Sequence, residues 1–162
     1  MVPPDTLDGG CACGAVHYRL VAAPLFVHCC HCRDCQRQTG SGFAVNALIE
    51  ADRIALLAGT PRPVRVPTDS GHPHDIYRCP DCGTALWSDY TGVRGIRFVR
   101  TGTLDTPDRL APDIHIHTRS KLPRVALPPG VPAVPVYYDW RQVWPAASQE
   151  RRRAIAGRRE TG

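Results

Sequence analysis

No run in this chain approaches the roughly 18 consecutive apolar residues of a membrane-spanning helix. Its opening, Met1-Val2-Pro3-Pro4-Asp5, lacks the basic and apolar regions of a secretion signal. The expectation is a cytoplasmic protein with no membrane partner. Long helices are excluded through most of the chain, because 16 prolines are spread over its 162 residues. There is no internal repeat beyond short recurring cysteine motifs, and no alternation of strand and helix patterns that would signal βαβ units. A strong charge on the body of the protein is missing as well. Of the formal +5, five arginines (Arg151, Arg152, Arg153, Arg158, Arg159) against Glu150 and Glu160 supply +3. Residues 1–149 carry only +2. The basicity reads as a solvated terminal appendage, which argues against a nucleic-acid-binding face on the domain itself.

What the chain has in excess is cysteine, eight residues of it. In a reducing compartment such a set suggests metal ligands before disulfides. A length of 162 residues with 43% apolar and 22% charged content is enough for one domain with a real core. Short alternating segments bounded by Gly and Pro then read as strands. They cover residues 15–20, 25–32, 43–49, 54–57, 64–66, 96–101 and 114–118, while 76–78 leads into the Cys79-Pro80-Asp81-Cys82-Gly83 segment and 84–87 leads out of it. Cys35 to Thr39 and Thr106 to Leu110 each read as a turn of helix, and Ala146 to Arg159 as a polar C-terminal helix. Leu122 to Pro135 is a proline-rich surface connector. The fold class expected is mainly β, divided into an N-terminal extension (1–8), a zinc-binding domain (9–140) and a basic, partly helical tail (141–162).

The cysteines sort by spacing. Cys79-Pro80-Asp81-Cys82-Gly83 is a knuckle whose two sulfurs can face one ion, with glycine relieving the turn that follows. Two ligands do not close a tetrahedral site, and Cys11-Ala12-Cys13 sits in an equally glycine-rich turn with no other local ligand. Joined, Cys11, Cys13, Cys79 and Cys82 make a structural four-thiolate zinc that couples metal binding to folding. The stretch His28-Cys29-Cys30-His31-Cys32-Arg33-Asp34-Cys35 is denser still. Side chains alternate on an extended segment, so Cys30 and Cys32 share a face to which Cys35 returns over the turn. Three thiolates leave a fourth position open, as in catalytic zinc sites. The alternatives are a second structural zinc, completed by Cys29 or a histidine, and a disulfide set. By the same parity Cys29 and His31 point away, Cys29 reading as a small core residue. His28 shares parity with the ligands and is an outside candidate for the open position.

These motifs, in this order, resemble the glutathione-dependent formaldehyde-activating enzyme family, whose domain centromere protein V also carries. The supporting stretches are Gly10-Cys11-Ala12-Cys13-Gly14-Ala15-Val16, Cys30 through Ser41, and Cys79-Pro80-Asp81-Cys82-Gly83-Thr84. Gly102-Thr103-Leu104 and Pro112 to His117 add to them, for a coverage of about Gly9 to Leu127. The resemblance implies a β-tent fold of small sheets with two zinc ions. Cys11, Cys13, Cys79 and Cys82 match the family's structural site, and Cys30, Cys32 and Cys35 its catalytic one. The reaction it implies is condensation of glutathione with formaldehyde to S-hydroxymethylglutathione. The chain departs from the family at Pro123-Arg124, where tryptophan is frequent, and in the segment after Trp140.

The chemistry expected is that of a carbon–sulfur lyase or synthase acting on a thiol adduct. A metal lowers the pKa of a coordinated thiol, and three thiolates make the ion a weak Lewis acid, so thiol delivery suits the site better than carbonyl polarisation. Gln36, Arg37, Thr39 and Gly40, directly after the ligands, are candidates for holding the glutathione carboxylates; a plain Gly-Ser-Gly turn accounts for that loop equally well. His115 and His117, sharing one face of an extended segment, are candidate pocket residues. Two other readings remain: a non-enzymatic zinc module binding a partner through its arginine tail, and the same zinc site used on an unrelated metabolite.

Overall fold

The computed structural model describes residues 6–68 and 71–157. Residues 1–5 of the expected extension and 158–162 of the expected tail lie outside them. The chain is mainly β, with ten strands in two sheets among the described residues. In chain order these are β1 (Leu7–Gly10), β2 (His17–Leu20), β3 (Phe26–Cys30), β4 (Ala44–Glu50) and β5 (Ile54–Ala58), then β6 (Arg62–Val66), β7 (His74–Arg78), β8 (Ala85–Tyr90), β9 (Ile96–Arg100) and β10 (Ile114–Ile116). Helices are short: α1 (Arg33–Thr39), α2 (Trp140–Val143) and α3 (Ala146–Gly157). Two compact units share them, one built from residues 1–24 and 47–109, the other from 25–46 and 110–162.

In the first unit β1 and β2 pair antiparallel, Leu7 opposite Leu20, and β2 pairs antiparallel with β5. The ladder β6-β7-β8-β9 is antiparallel throughout. Pro63 and two arginines on β6 blunt its outer edge against pairing with another chain. The core is aromatic: Tyr18 and Trp87, both fully buried, meet edge to face at 5.5 Å, and Arg97 lies over the Trp87 and Tyr77 rings. The Tyr18 hydroxyl reaches Thr103 Oγ1 at 2.7 Å, which satisfies its polar end. β1 has no apolar alternation and carries paired glycines. It forms because Gly9 lets the backbone lie against this ring: a Cβ there would stand 2.6 Å from the Thr103 carbonyl oxygen and 2.7 Å from the Tyr18 hydroxyl.

In the second unit β3 is buried along its whole length, as a strand with a parallel neighbour requires. That neighbour is β10, with Ile114 opposite His28, His115 opposite Cys29 and Ile116 opposite Cys30. Asp113 pins the start of the register, its carboxylate accepting from the Val27 amide at 2.8 Å. The proline-rich connector is exposed as expected, yet it is tied to β10. Pro132 O accepts from His115 N at 2.8 Å, and Val134 N donates to His115 O at 2.9 Å. The C-terminal segment is less solvated than its composition suggests. Trp144 is buried, stacked on Phe26 at 5.8 Å and donating from Nε1 to the Tyr138 hydroxyl. Arg152 lies over the Trp140 and Trp144 rings at 4.9 and 5.9 Å, so this guanidinium is spent on aromatic packing instead of solvent.

Candidate metal centres

All eight cysteines are free thiols. Four of them, Cys11, Cys13, Cys79 and Cys82, converge in the first unit with their sulfurs within 4.8 Å of one another. Two turns place them. Gly14 (φ 79°) and Gly83 (φ 74°) take left-handed conformations that a side chain would resist, closing Gly14 N–Cys11 O and Gly83 N–Cys79 O hydrogen bonds. Backbone amides and hydroxyls then hold the sulfurs: Val16 N donates to Cys11 Sγ at 3.2 Å, and Thr84 Oγ1 lies 3.1 Å from Cys82 Sγ. Thr84's hydroxyl, then its amide and that of Cys13, pull the Cys82 thiol down to about 5. The Cys11–Cys13 and Cys13–Cys79 sulfur separations are 3.5 and 3.8 Å. A tetrahedral zinc with Zn–S bonds of about 2.3 Å needs its sulfurs about 3.8 Å apart. The donor set and its spacing fit such an ion.

The second group, Cys30, Cys32 and Cys35, lies in the second unit, again within 4.8 Å. Cys30 ends β3, Cys32 is the N-cap of α1, and Cys35 sits in its first turn. Cys32 Sγ takes the place of the usual capping oxygen, accepting from the Cys35 amide at 3.3 Å. Cys30 and Cys35 are buried, whereas Cys32 is partly exposed. Three thiols so close cannot all ionise unaided. Cys32 and Cys35 facing it, together with burial, hold the Cys30 proton far above the ordinary thiol range. Cys32, hydrogen-bonded by Cys30 and Cys35, is pulled down to about 2. A cation between them removes that conflict, and no fourth Cys, His, Asp or Glu belongs to the group among the described residues. The set therefore fits a soft metal held by three thiolates.

His28 does not join them. It is buried, with Nδ1 3.3 Å from the Tyr138 hydroxyl and its ring edge-on to Tyr137 and Tyr138. Cys29 and His31, which parity along the strand set aside, form a third set with His115 of β10. His31 Nε2 stands 3.0 Å from His115 Nδ1 and 3.6 Å from Cys29 Sγ. Burial, then the neighbouring His115, lowers His31 to about 4, and burial also lowers His115. Burial pushes Cys29 up to about 12. The expectation that His115 and His117 share a face fails, because β10 ends at Ile116 and His117 turns left-handed (φ 54°), which breaks the strand's alternation. His117 is close enough to Cys32 for that thiolate to raise its pKa against the burial that lowers it.

The loop after the ligands is largely occupied with its own structure. Gln36 is buried and donates to the carbonyls of His31 (2.8 Å) and Ser120 (2.9 Å), and it accepts from Arg33. Thr39 donates to Cys35 O at 2.8 Å, and Gly40 caps α1 in a left-handed conformation with its amide on Gln36 O. Arg37 is exposed at the surface.

Comparison with known proteins accords with this arrangement of motifs. A Halomonas elongata protein named for the glutathione-dependent formaldehyde-activating enzymes is 31% identical over 85 residues, 50% of this chain and 54% of that protein. The matched region thus spans about half the length of that relative. A Rhodobacter sphaeroides protein of known crystal structure is similar to 60% of this chain and 87% of its own, with a TM-score of 0.47 at 19% identity. Residues 6–120, which hold all eight cysteines and both cysteine-only clusters, match the family directly, and the chain belongs to the glutathione-dependent formaldehyde-activating enzyme family.

Proposed function

We propose that this protein is a β-tent, zinc-dependent carbon–sulfur lyase or synthase that joins a glutathione-like thiol to an aldehyde, formaldehyde being the first candidate. The observation that carries the reading is the three-thiol group. Cys30, Cys32 and Cys35 converge with no fourth Cys, His, Asp or Glu in their set among the described residues, and Cys32 is partly exposed. Cys11, Cys13, Cys79 and Cys82 would hold a structural zinc, and Cys30, Cys32 and Cys35 a second one. Bound there, that ion would supply an open coordination position and lower the pKa of a substrate thiol.

The chain's own residues do the remaining work. Cys35 and Cys30, buried, keep the inner side of the site dry, while Cys32 faces the approach. Gln36 and Thr39 brace the ligand loop through their hydrogen bonds to His31, Ser120 and Cys35 carbonyls, which fixes the three sulfurs relative to one another. With the Gln36 amide committed inside the protein, a glutathione carboxylate at this loop would meet the Arg37 guanidinium. In the reaction a carbon–sulfur bond forms between thiol and aldehyde carbon, the carbonyl π pair passes to oxygen, and the proton lost by the thiol balances the one gained there. The reverse step breaks the same bond.

The test is a titration of the purified protein with glutathione and formaldehyde, following adduct formation by NMR. A rate that exceeds the spontaneous one and scales with protein concentration is expected. A rate equal to the spontaneous one refutes the proposal.

A further inference from the structure

We propose that Cys29, His31 and His115 form a third metal site, taking one zinc-class cation through a thiolate and two imidazoles. The two cysteine-only groups use seven of the eight cysteines, and Cys29 is the eighth. It is not an isolated core thiol. The parallel register sets His115 directly opposite Cys29, and His31 continues the same face of the chain two residues on. His31 is itself fastened to β10 by its amide on Ile116 O at 3.0 Å. Three donors, from β3, the residue just after it and β10, with His31 and His115 84 residues apart, thus meet on the side of β3 opposite to that of Cys30.

The geometry suits a tetrahedral ion. With bonds of about 2.3 Å to sulfur and about 2.1 Å to nitrogen, a sulfur–nitrogen pair of ligands stands roughly 3.6 Å apart and a nitrogen–nitrogen pair roughly 3.4 Å apart. The trio has 3.6 Å between Cys29 Sγ and His31 Nε2, and 3.0 Å between His31 Nε2 and His115 Nδ1. The second spacing needs only a small relaxation. Burial is nearly complete, at 2% exposure for Cys29, 0% for His31 and 5% for His115. Two imidazoles so placed would make a poor core if hydrogen bonding to each other were their whole purpose. The far nitrogens, His31 Nδ1 and His115 Nε2, are both buried without a partner. Two inner nitrogens and a thiol converging on one point from two chain segments is the arrangement a metal ion uses. One sulfur and two imidazoles select a borderline-soft divalent ion over calcium or magnesium.

The test uses the whole chain, stripped of metal under reducing conditions and titrated anaerobically with cobalt(II), then separately with cadmium for NMR. The wild type is expected to take three equivalents and to show a cadmium resonance of one-sulfur, two-nitrogen character beside the all-sulfur signals. Cys29→Ala and His115→Gln are each expected to lose one equivalent and that resonance alone, keeping the all-sulfur signals. Saturation of the wild type at two equivalents with only all-sulfur signals would overturn the proposal, as would persistence of the third equivalent in both variants. Where a variant does not fold, the wild-type cadmium spectrum decides between these results by itself. Catalysis is not part of the readout, so the outcome is independent of the proposed reaction.

Discussion

Cys29 and Cys30 are consecutive residues with opposite surroundings, and that opposition governs the chemistry on this strand. Cys30 joins two other thiols and cannot release its proton without help, whereas Cys29 meets two neutral imidazoles in a dry interior. A shift of one position along β3 would exchange these roles, which is why the register with β10 matters. Gly9 shows the same economy of space. Gly9→Ala would drive a methyl into the Thr103 carbonyl and the Tyr18 ring, and is expected to destabilise the protein by about 1–3 kcal/mol. Gly102→Ala, with nothing within 4 Å of the new Cβ, should stay within about 0.5 kcal/mol. Urea unfolding midpoints of the two variants check both statements, and equal losses would remove the packing argument.

Among the elements, β1 and α2–α3 carry most of what residue patterns did not foretell. β1 is held to β2 by Asp8 and Arg19, which face each other in the register and pair at 2.6 and 2.7 Å through two guanidinium nitrogens. The Arg19 hydrogen bonds keep the Asp8 carboxyl below its usual range. Its folded pKa being depressed, the pair contributes stability above the unfolded carboxylate value of about 3.9 and loses it as pH falls through the folded value. Both side chains are partly exposed, so Asp8→Asn should cost no more than about 1 kcal/mol at pH 7. The difference from wild type should vanish in acid, as thermal unfolding across pH would report; a difference independent of pH would rule out the linkage. Trp144→Ala removes a buried indole from against Phe26 and should cost about 3–5 kcal/mol in the same denaturation assay.

Seven of the ten strands were legible from alternation and turn residues, to within a few positions at their ends, whereas β7 and β8 stood only as the entry to and exit from the Cys79–Cys82 knuckle. β1 was not, because Asp8-Gly9-Gly10 has no strand propensity and owes its conformation to β2. The two cysteine groups could be read from spacing because Cys-x-Cys and Cys-x-x-Cys put sulfurs together locally. The Cys29–His31–His115 trio could not, since it needs a parallel pairing between segments distant in sequence. His117 was misjudged for a local reason, a left-handed residue ending the strand that appeared to continue.

Across the whole molecule, the family region and the residues beyond it divide the work. Residues 6–120 contain every cysteine and the histidines at 28, 31, 115 and 117. Beyond them, the aromatic pair Tyr137 and Tyr138 packs on His28, and Trp144 covers Phe26. In the described part of the basic C-terminal segment, Arg152 is drawn onto Trp140 and Trp144. The central claim is that the three-thiol group runs the reaction, and the most direct measurement compares adduct formation from glutathione and formaldehyde in the wild type and in Cys35→Ser. The wild type should exceed the spontaneous rate and Cys35→Ser should fall back to it, with near-ultraviolet circular dichroism unchanged. A folded Cys35→Ser protein that keeps the wild-type rate would contradict the account.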